Sequence, residues 1–405
     1  MTDHTPWSTA APLPRSEVYH TSPVHHGGLD YAELEVLQLA PEDVIDFSVN
    51  SNPFGPSPRV HQALANIALD RYPDREAVAL RRALAERLQV TPEHIVIGNG
   101  AAELFWLIAL AYLSRGDNVL VLSPSFGEYA RVAHILGAQV HHWIARAEDG
   151  FAIAEGEIAR LLEQLRPRLV FICNPNNPTG TVLPPEILEK WCAPHPDVLF
   201  IVDESYHAFA IGFQSVLPLR RENILVVRSM TKDYALAALR LGYAVGAIEV
   251  IEAIKCVRPA WNVNALAQAA GLAALSDEDH VHRSIKALHH MRRRLQEGMR
   301  ELGWKPLPSA VHFFLVPVGD GAAFRNMLLM RGILVRNCAS FGLPSYVRIA
   351  PRLPEENARL LAALQEITPA LLEKQEKMNA QCFMGQSGSV ASKSTVNKKA
   401  TDESK

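Results

Sequence analysis

Four short polar clusters in this 405-residue chain each follow an apolar, β-branched run, and each carries groups able to do chemistry. Asn99-Gly100-Ala101-Ala102-Glu103 follows HIVIG and opens a helical pattern; a glycine turn at a helix start offers free amides and a positive dipole end to a phosphate. An ordinary strand-to-helix turn accounts for the same residues. A dinucleotide site fits less well, because Asp117, about twenty residues on, follows a helix rather than a strand. Asn174-Pro175-Asn176-Asn177-Pro178-Thr179-Gly180 follows LVFIC. Its two Asn-Pro steps can be turn punctuation, but the density of side-chain amides in one stiff loop favours a binding role. Asp203, Glu204 and Tyr206 follow VLFIV; a carboxylate ending a buried strand either meets a cation or donor or caps the next helix. Ser229-Met230-Thr231-Lys232 follows ILVVR, with Arg240-Leu241-Gly242-Tyr243 soon after. A lysine so placed, with apolar residues behind it, can be desolvated; its pKa then falls and it becomes a nucleophile suited to Schiff-base chemistry.

The elements that must position these clusters are legible. HIVIG, NVLVLS, LVFIC, VLFIVD and ILVVRS are short runs with almost no polar alternation, separated by segments of helical periodicity. That is the pattern of a parallel sheet covered on both faces, so the expected fold is α/β and doubly wound, with ligands at the carboxyl ends of the strands. After Pro259 the texture changes. Amphipathic helices over 264–275 and 278–302 precede strands at HFFLV, ILVR and YVRIA, and a helix from Pro354 to about 374 closes the core, giving a second, smaller α+β domain. The segment 42–56 is expected to add an edge to that domain or to cross between the two. The expected division is a flexible segment 1–24, a joining segment 25–54, a large domain 55–262, a small domain 263–375 and a disordered tail 376–405, too polar to offset its ordering entropy.

Composition removes several classes of function. With 43 acidic and 40 basic residues, a net charge of −3 and 20% charged positions, no basic field is present to hold nucleic acid. The longest apolar run, Leu104 to Leu113, is about half of a bilayer crossing. No basic segment followed by an apolar core opens the chain, and the five cysteines are widely spaced, so reduced thiols in a cytoplasm are expected. Neither a CxxC pair nor an HExxH spacing occurs, and no metal is expected.

Taken together, NPNNPTG, VDESY, SMTK and RLGY stand in the order and spacing of one family. Over roughly residues 40 to 370 the chain resembles the fold type I pyridoxal-phosphate enzymes of aminotransferase class I/II, in the branch that holds histidinol-phosphate aminotransferases and threonine-phosphate decarboxylases. The resemblance implies an aspartate aminotransferase-like fold and pyridoxal 5′-phosphate as cofactor. Lys232 would hold the cofactor aldehyde as a Schiff base and act as base and acid at Cα. Asp203 would keep the pyridine nitrogen protonated so that the ring accepts electrons. Asn177 and Tyr206 would donate to the ring's phenolic oxygen, and Phe126, in PSFGEY, would stack on its face. Gly100, the amides of Ala101 and Ala102, Ser229 and Arg240 would hold the phosphate. Tyr72, in RYPD, would reach the phosphate of a neighbouring subunit, which makes a homodimer with shared sites the expected assembly. Arg348, in YVRIA, would grip the substrate α-carboxylate, Arg336, in ILVRN, a substrate phosphate, and Asn52 would lie near the carboxylate.

The bond that breaks is the one standing perpendicular to the ring plane, and both a transaminase and a decarboxylase use this same set of residues. The expected activity is that of an aminotransferase acting on a small phosphorylated amino acid or amine with a 2-oxo acid. The alternative is a threonine-phosphate decarboxylase, which His26-Gly27-Gly28 and Arg336 to Phe341 resemble more closely. A non-catalytic regulator is a distant third, since residues 1–40 are too short and polar for a winged helix.

Overall fold

The computed structural model describes residues 12–19 and 21–369. The expected disordered tail 376–405, residues 370–375 of the expected small domain and half of the expected flexible N-terminal segment lie outside the described residues. The strands, in chain order, are β1 (Ile45–Asp46), β2 (Ile95–Gly98), β3 (Asn118–Ser123), β4 (Gln139–Ile144), β5 (Leu169–Cys173), β6 (Leu199–Asp203), β7 (Ile224–Ser229), β8 (Gly242–Val245), β9 (Phe314–Pro317), β10 (Ile333–Leu334), β11 (Arg336–Asn337) and β12 (Tyr346–Ile349).

Seven of them form one sheet in the order β2-β8-β7-β6-β5-β3-β4. The five pure apolar runs are β2, β3, β5, β6 and β7, and their lack of alternation follows from cover on both faces. One face packs on Leu104, Phe105 and Ile108 of the Gly100–Tyr112 helix, the other on Ile158, Leu162, Leu188 and Trp191. Pairing is parallel from β7 through β6, β5 and β3 to β4, whereas β8 runs antiparallel to both its neighbours. The sequence pattern did not flag β4 and β8. β4 carries His141 and His142 at a largely open sheet edge, and β8 is four residues that start on a glycine.

The order has a consequence for function. From β3 the chain moves outward to β4 and then returns to the other side of β3 as β5, so winding reverses between β3 and β5. Ligands of open α/β sheets bind beside the carboxyl ends of strands at such a reversal. Here those ends carry Ser123 to Phe126 and Asn174 to Asn177.

A second sheet, β11-β12-β9, is antiparallel, and β1 pairs with β10 in parallel. The single run ILVR thus divides: Ile333 and Leu334 pair with Ile45 and Asp46, and Arg336 and Asn337 turn to pair with Arg348 and Val347. The 42–56 segment contributes an edge, and Phe47, Leu295, Phe314, Phe324 and Ile349 share a core with the helix over 354–369. The Ala265–Leu275 and Glu278–Glu301 helices lie where the periodicity puts them.

The ends of β6 and β7 are tied together by a buried ion pair. Glu204 is 0% exposed, and Arg228 donates to its Oε2 from Nε at 3.0 Å and from a terminal nitrogen at 2.7 Å. The Ser215 hydroxyl lies 2.8 and 2.9 Å from the two carboxylate oxygens, and the Val216 amide donates to Oε1. Breaking such a pair strands a charge in the core. Arg228→Met is expected to lower the unfolding free energy by about 3–5 kcal/mol, seen as a lower urea midpoint. The Arg228→Met/Glu204→Met double variant should lose less than the two single changes summed.

Candidate active site

Lys232 follows β7 and is half-buried. Burial first, then the charges of Arg348 and Arg240, lower its pKa to about 8, while Asp203 pulls it back up. The loop is held from outside by the Asn52 amide, which donates to the Lys232 carbonyl at 2.9 Å.

Asp203 ends β6 and is 5% exposed. Its Oδ1 accepts from the Ser205 amide at 2.9 Å, and its Oδ2 from the Tyr129 hydroxyl at 2.5 Å. Burial raises its pKa, and these donors oppose the rise. Tyr206, three residues on, is buried, and its hydroxyl accepts from Asn50 Nδ2 at 3.3 Å; its own proton is therefore directed elsewhere. Desolvation pushes the phenol up to about 12, so it remains a donor. Asn177 Oδ1 accepts from Arg348, which leaves the Asn177 amide hydrogens to serve another oxygen.

At the opposite end, Gly100 opens its helix with φ +77, and the Arg240 guanidinium lies 3.0 Å from where a Cβ on Gly100 would stand. A Cβ on Gly242 would fall 2.6 Å from the Ala101 nitrogen. The backbone of Gly100 and Ala101 is therefore closely approached from below, and Asn99 gives the helix no side-chain cap. The first-turn amides stay available to an anion. Ser229 is buried, is the register partner of Gly242, and pairs with Thr231 Oγ1 at 2.7 Å.

Arg336 and Arg348 face each other across β11 and β12 as direct register partners. Both are buried, at 8% and 4% exposure. Arg336 donates to the His25 carbonyl and the Ser340 hydroxyl, each at 2.6 Å, and stands 5.3 Å over Phe341. Arg348 donates to Asn177 Oδ1 and, at 2.6 Å, to the Ser48 carbonyl, and its Nε is buried without a partner. These acceptors are all neutral. Burial and the neighbouring Arg348 bring Arg336 down to about 10.

Phe126 lies in the crevice with His26 above it, ring centroids 5.4 Å apart, and Tyr129 against its edge at 5.5 Å. His26 Nε2 is 3.2 Å from Glu128, which fixes the 21–28 segment as a strap across this region. The strap also borders a cleft of about 920 Å³ lined by Val24, His25, Ser125, Phe126, Ser340 and Phe341.

Two expected residues lie apart from this group. Tyr72 is 80% exposed and stacks on Trp261 at 4.5 Å. Asn52 uses its amide on the Asp233 carbonyl and the Phe54 amide. Asn50, two residues earlier, has the facing position at Tyr206, with its Oδ1 unpartnered. Asn50 and Tyr129 were not anticipated. Both were within reach: Asn50 shares its sheet-exit segment with Asn52, and Tyr129 is one helical turn beyond Phe126.

The family model described as aminotransferase class I and II matches residues 42–364. The chain belongs to that family. The histidinol-phosphate aminotransferase of Symbiobacterium thermophilum is 38% identical over 334 residues, 81% of this chain and 91% of that one. The structure of histidinol-phosphate aminotransferase from Sinorhizobium meliloti, solved in complex with pyridoxal-5′-phosphate, superposes with a TM-score of 0.80 at 23% identity, covering 90% of this chain and 99% of that one. L-threonine-O-3-phosphate decarboxylase from Porphyromonas gingivalis superposes at 0.70 with 28% identity, covering 79% and 98%.

This is a pyridoxal-phosphate-dependent aminotransferase of fold type I. The residues present fit the cofactor: a lysine amine with a lowered pKa lies under the influence of a buried carboxylate and of an arginine beside open helix amides, and Asn50 Oδ1 and Arg348 Nε are orphaned nearby. Among the described residues no helix is long and apolar enough to cross a membrane, and no group of three or more His, Cys, Asp or Glu could hold a metal. In the cofactor-free protein, acetylation of Lys232 followed by mass spectrometry should reach half its limiting rate near pH 8, against about 10.4 for an unperturbed lysine. Arg348→Met should move that midpoint upward.

Proposed function

We propose that this aminotransferase moves an amino group between a small phosphorylated amine or amino acid, of the histidinol-phosphate kind, and a 2-oxo acid. The observation that carries this reading is the pair of buried guanidiniums opposed across β11 and β12 with only neutral acceptors. Like charges directly opposite on adjacent strands are unfavourable, and buried charge without a counter-charge more so. A substrate with two anionic groups, or with one phosphate shared between the two guanidiniums, relieves both. The relatives named histidinol-phosphate aminotransferase support the phosphorylated donor.

The bound cofactor supplies an aldehyde to carry the amino group and an electron-poor ring to stabilise charge at Cα. Lys232 Nζ, with its pKa brought down to about 8, gives up its proton far more readily than an ordinary lysine; it would bind the cofactor and, once freed, take the proton from Cα and return it. Asp203 holds the proton on the ring nitrogen. Tyr206 and the Asn177 amide donate to the ring's phenolic oxygen, and Phe126 covers a face of the ring. Gly100, Ala101, Ala102, Ser229 and Arg240 hold the phosphate. Arg348, with Asn50 beside it, would orient the α-carboxylate of an amino acid or 2-oxo acid and Arg336 a distal anion, whereas a phosphorylated amine such as histidinol phosphate, which has no carboxylate, would offer its phosphate to both guanidiniums.

A homodimer completes the site. Leu69 and Tyr72 are 82% and 80% exposed, and Trp261, under Tyr72, is 46% exposed, an apolar surface suited to a second copy that would receive Tyr72 at its phosphate cradle. Cys173, Cys192, Cys256 and Cys338 are free thiols, in keeping with a reducing cytoplasm.

One observation favours a second reading, decarboxylation of a phosphorylated amino acid: the strap reaches Arg336 through the His25 carbonyl, and His26-Gly27-Gly28 with Arg336 to Phe341 are the segments that resemble the decarboxylases. Incubation of the holoenzyme with histidinol phosphate and 2-oxoglutarate should form glutamate without CO2. Release of CO2 from O-phosphothreonine with no requirement for an oxo acid would instead establish the second reading. Under either, Arg336→Met should lower kcat/KM for the phosphorylated substrate by about a hundredfold and leave an unphosphorylated analogue little changed. Separately, mixing Tyr72→Ala with Lys232→Ala protein should restore part of the lost activity, because a hybrid dimer carries one intact site.

A further inference from the structure

We propose that Tyr129 is a positioning residue of this site: its hydroxyl holds and aims the Asp203 carboxylate, and its ring sets Phe126, so that one side chain fixes both the edge and the face of the cofactor pocket. This rests on the reading that Asp203 meets the ring nitrogen. Tyr129 is fully buried, on the Glu128–Ile135 helix at the winding reversal of the sheet. Its ring has no freedom to turn. Phe171 lies parallel to it at 5.1 Å and 6°, Phe105 meets it edge-on at 4.9 Å, and Phe126 at 5.5 Å. Three aromatic walls therefore point the hydroxyl at Asp203 Oδ2, 2.5 Å away.

The chemistry needs such a donor. An aspartate this far from water is driven toward its neutral form, and a neutral aspartic acid gives no counter-charge to a protonated ring nitrogen. Ser205 serves the carboxylate from its amide, at Oδ1, and from its hydroxyl, and Tyr129 donates to Oδ2 from the opposite element. A carboxylate has about four lone-pair sites, so both oxygens retain capacity to face the cofactor. Tyr129 cannot reverse its role. Burial and the adjacent Asp203 hold its phenol well above the ordinary range, so it stays protonated and donates across the working pH range. Cys173, register partner of Asp203, is likewise held as a thiol by burial and gives its hydrogen to the Pro175 carbonyl, adding no competing anion.

The test compares holoenzyme carrying Tyr129→Phe, Asp203→Asn and both changes. It follows the nitrogen NMR signal of ring-labelled pyridoxal phosphate, the cofactor dissociation constant, kcat and KM, and thermal unfolding. Tyr129→Phe is expected to shift the ring nitrogen signal part of the way to its Asp203→Asn position. It should weaken cofactor binding severalfold and lower kcat by about ten- to a hundredfold, with KM and the unfolding temperature close to wild type. In the Asp203→Asn background it should have little further effect on the nitrogen signal or kcat. If Asp203→Asn moves signal and kcat while Tyr129→Phe moves neither, the positioning role is overturned and the Asp203 reading stands. If Asp203→Asn leaves the nitrogen signal unmoved, the Asp203 reading itself fails. Fluorotyrosine at position 129 keeps the hydroxyl and strengthens it as a donor; it should shift the signal opposite to Phe, and it decides the matter if the Phe variant does not fold. A loss of activity that follows only the unfolding temperature would reduce Tyr129 to a packing residue.

Discussion

Lys232, Arg336 and Arg348 are drawn out of water together, and Arg348 lowers the proton affinity of both the others, with Asp203 pulling the other way at Lys232. This imbalance of charge is maintained by register. Arg336 and Arg348 oppose each other because β11 and β12 are antiparallel, and β12 in turn is fixed on β9 by Leu315 opposite Arg348. A sheet slip of one residue would send both guanidiniums to the other face. The rest of the molecule is arranged to tolerate the arrangement. Carbonyls of His25 and Ser48, the Ser340 hydroxyl and the Asn177 amide oxygen satisfy donors without neutralising charge, so the field stays available to anionic ligands.

The large sheet contributes the complementary half of the site through its winding. Reversal between β3 and β5 leaves a crevice flanked by Ser123 to Phe126 and Asn174 to Asn177, and the next two strands deliver Asp203 and Lys232 to the same end. The Glu204–Arg228 pair lies one residue past Asp203 and one residue before Ser229, which couples the two strand ends where relative movement would misalign acid and amine. Asn52 links the halves: its amide holds the Lys232 carbonyl, and its segment leads from β1, which pairs with β10.

Much of this was legible in the sequence because burial on both faces strips alternation from a strand, and β5, β6 and β7 are read directly from it. β8 escaped because four residues beginning with glycine carry little pattern, and β4 because an edge strand with His141 and His142 is not an apolar run. The division of ILVR between two sheets is a tertiary choice that no local spacing contains. Among site residues, those in motifs were found by residue type, whereas Asn50 and Tyr129 act through partners 156 and 74 residues away and became visible only when the sheet brought those partners together. Asn50 and Asn52 are interchangeable in composition, and strand alternation would put both on one face; the bends between residues 48 and 54 decide which one faces Tyr206.

Arg336 sets a further condition on what the site accepts. Its contacts to His25 and Ser340 are both made by one terminal nitrogen, so the hydrogens of Nε and of the other terminal nitrogen remain as separate donors on either side of the plane's long axis. Such donors serve a phosphate or a carboxylate equally, since both present several acceptor oxygens. Discrimination by charge is therefore weak, and discrimination by distance is strong, because antiparallel partners hold the two guanidinium stems about 4.5–5.5 Å apart at Cα. An aminotransferase must admit two different substrates in turn to one pocket. Under the proposed function, opposed arginines would meet that need: a dianionic amino acid or 2-oxo acid would place one anion on each of Arg348 and Arg336, a phosphorylated amine without a carboxylate would offer its phosphate to both, and spacing rather than the identity of the anion would select among them.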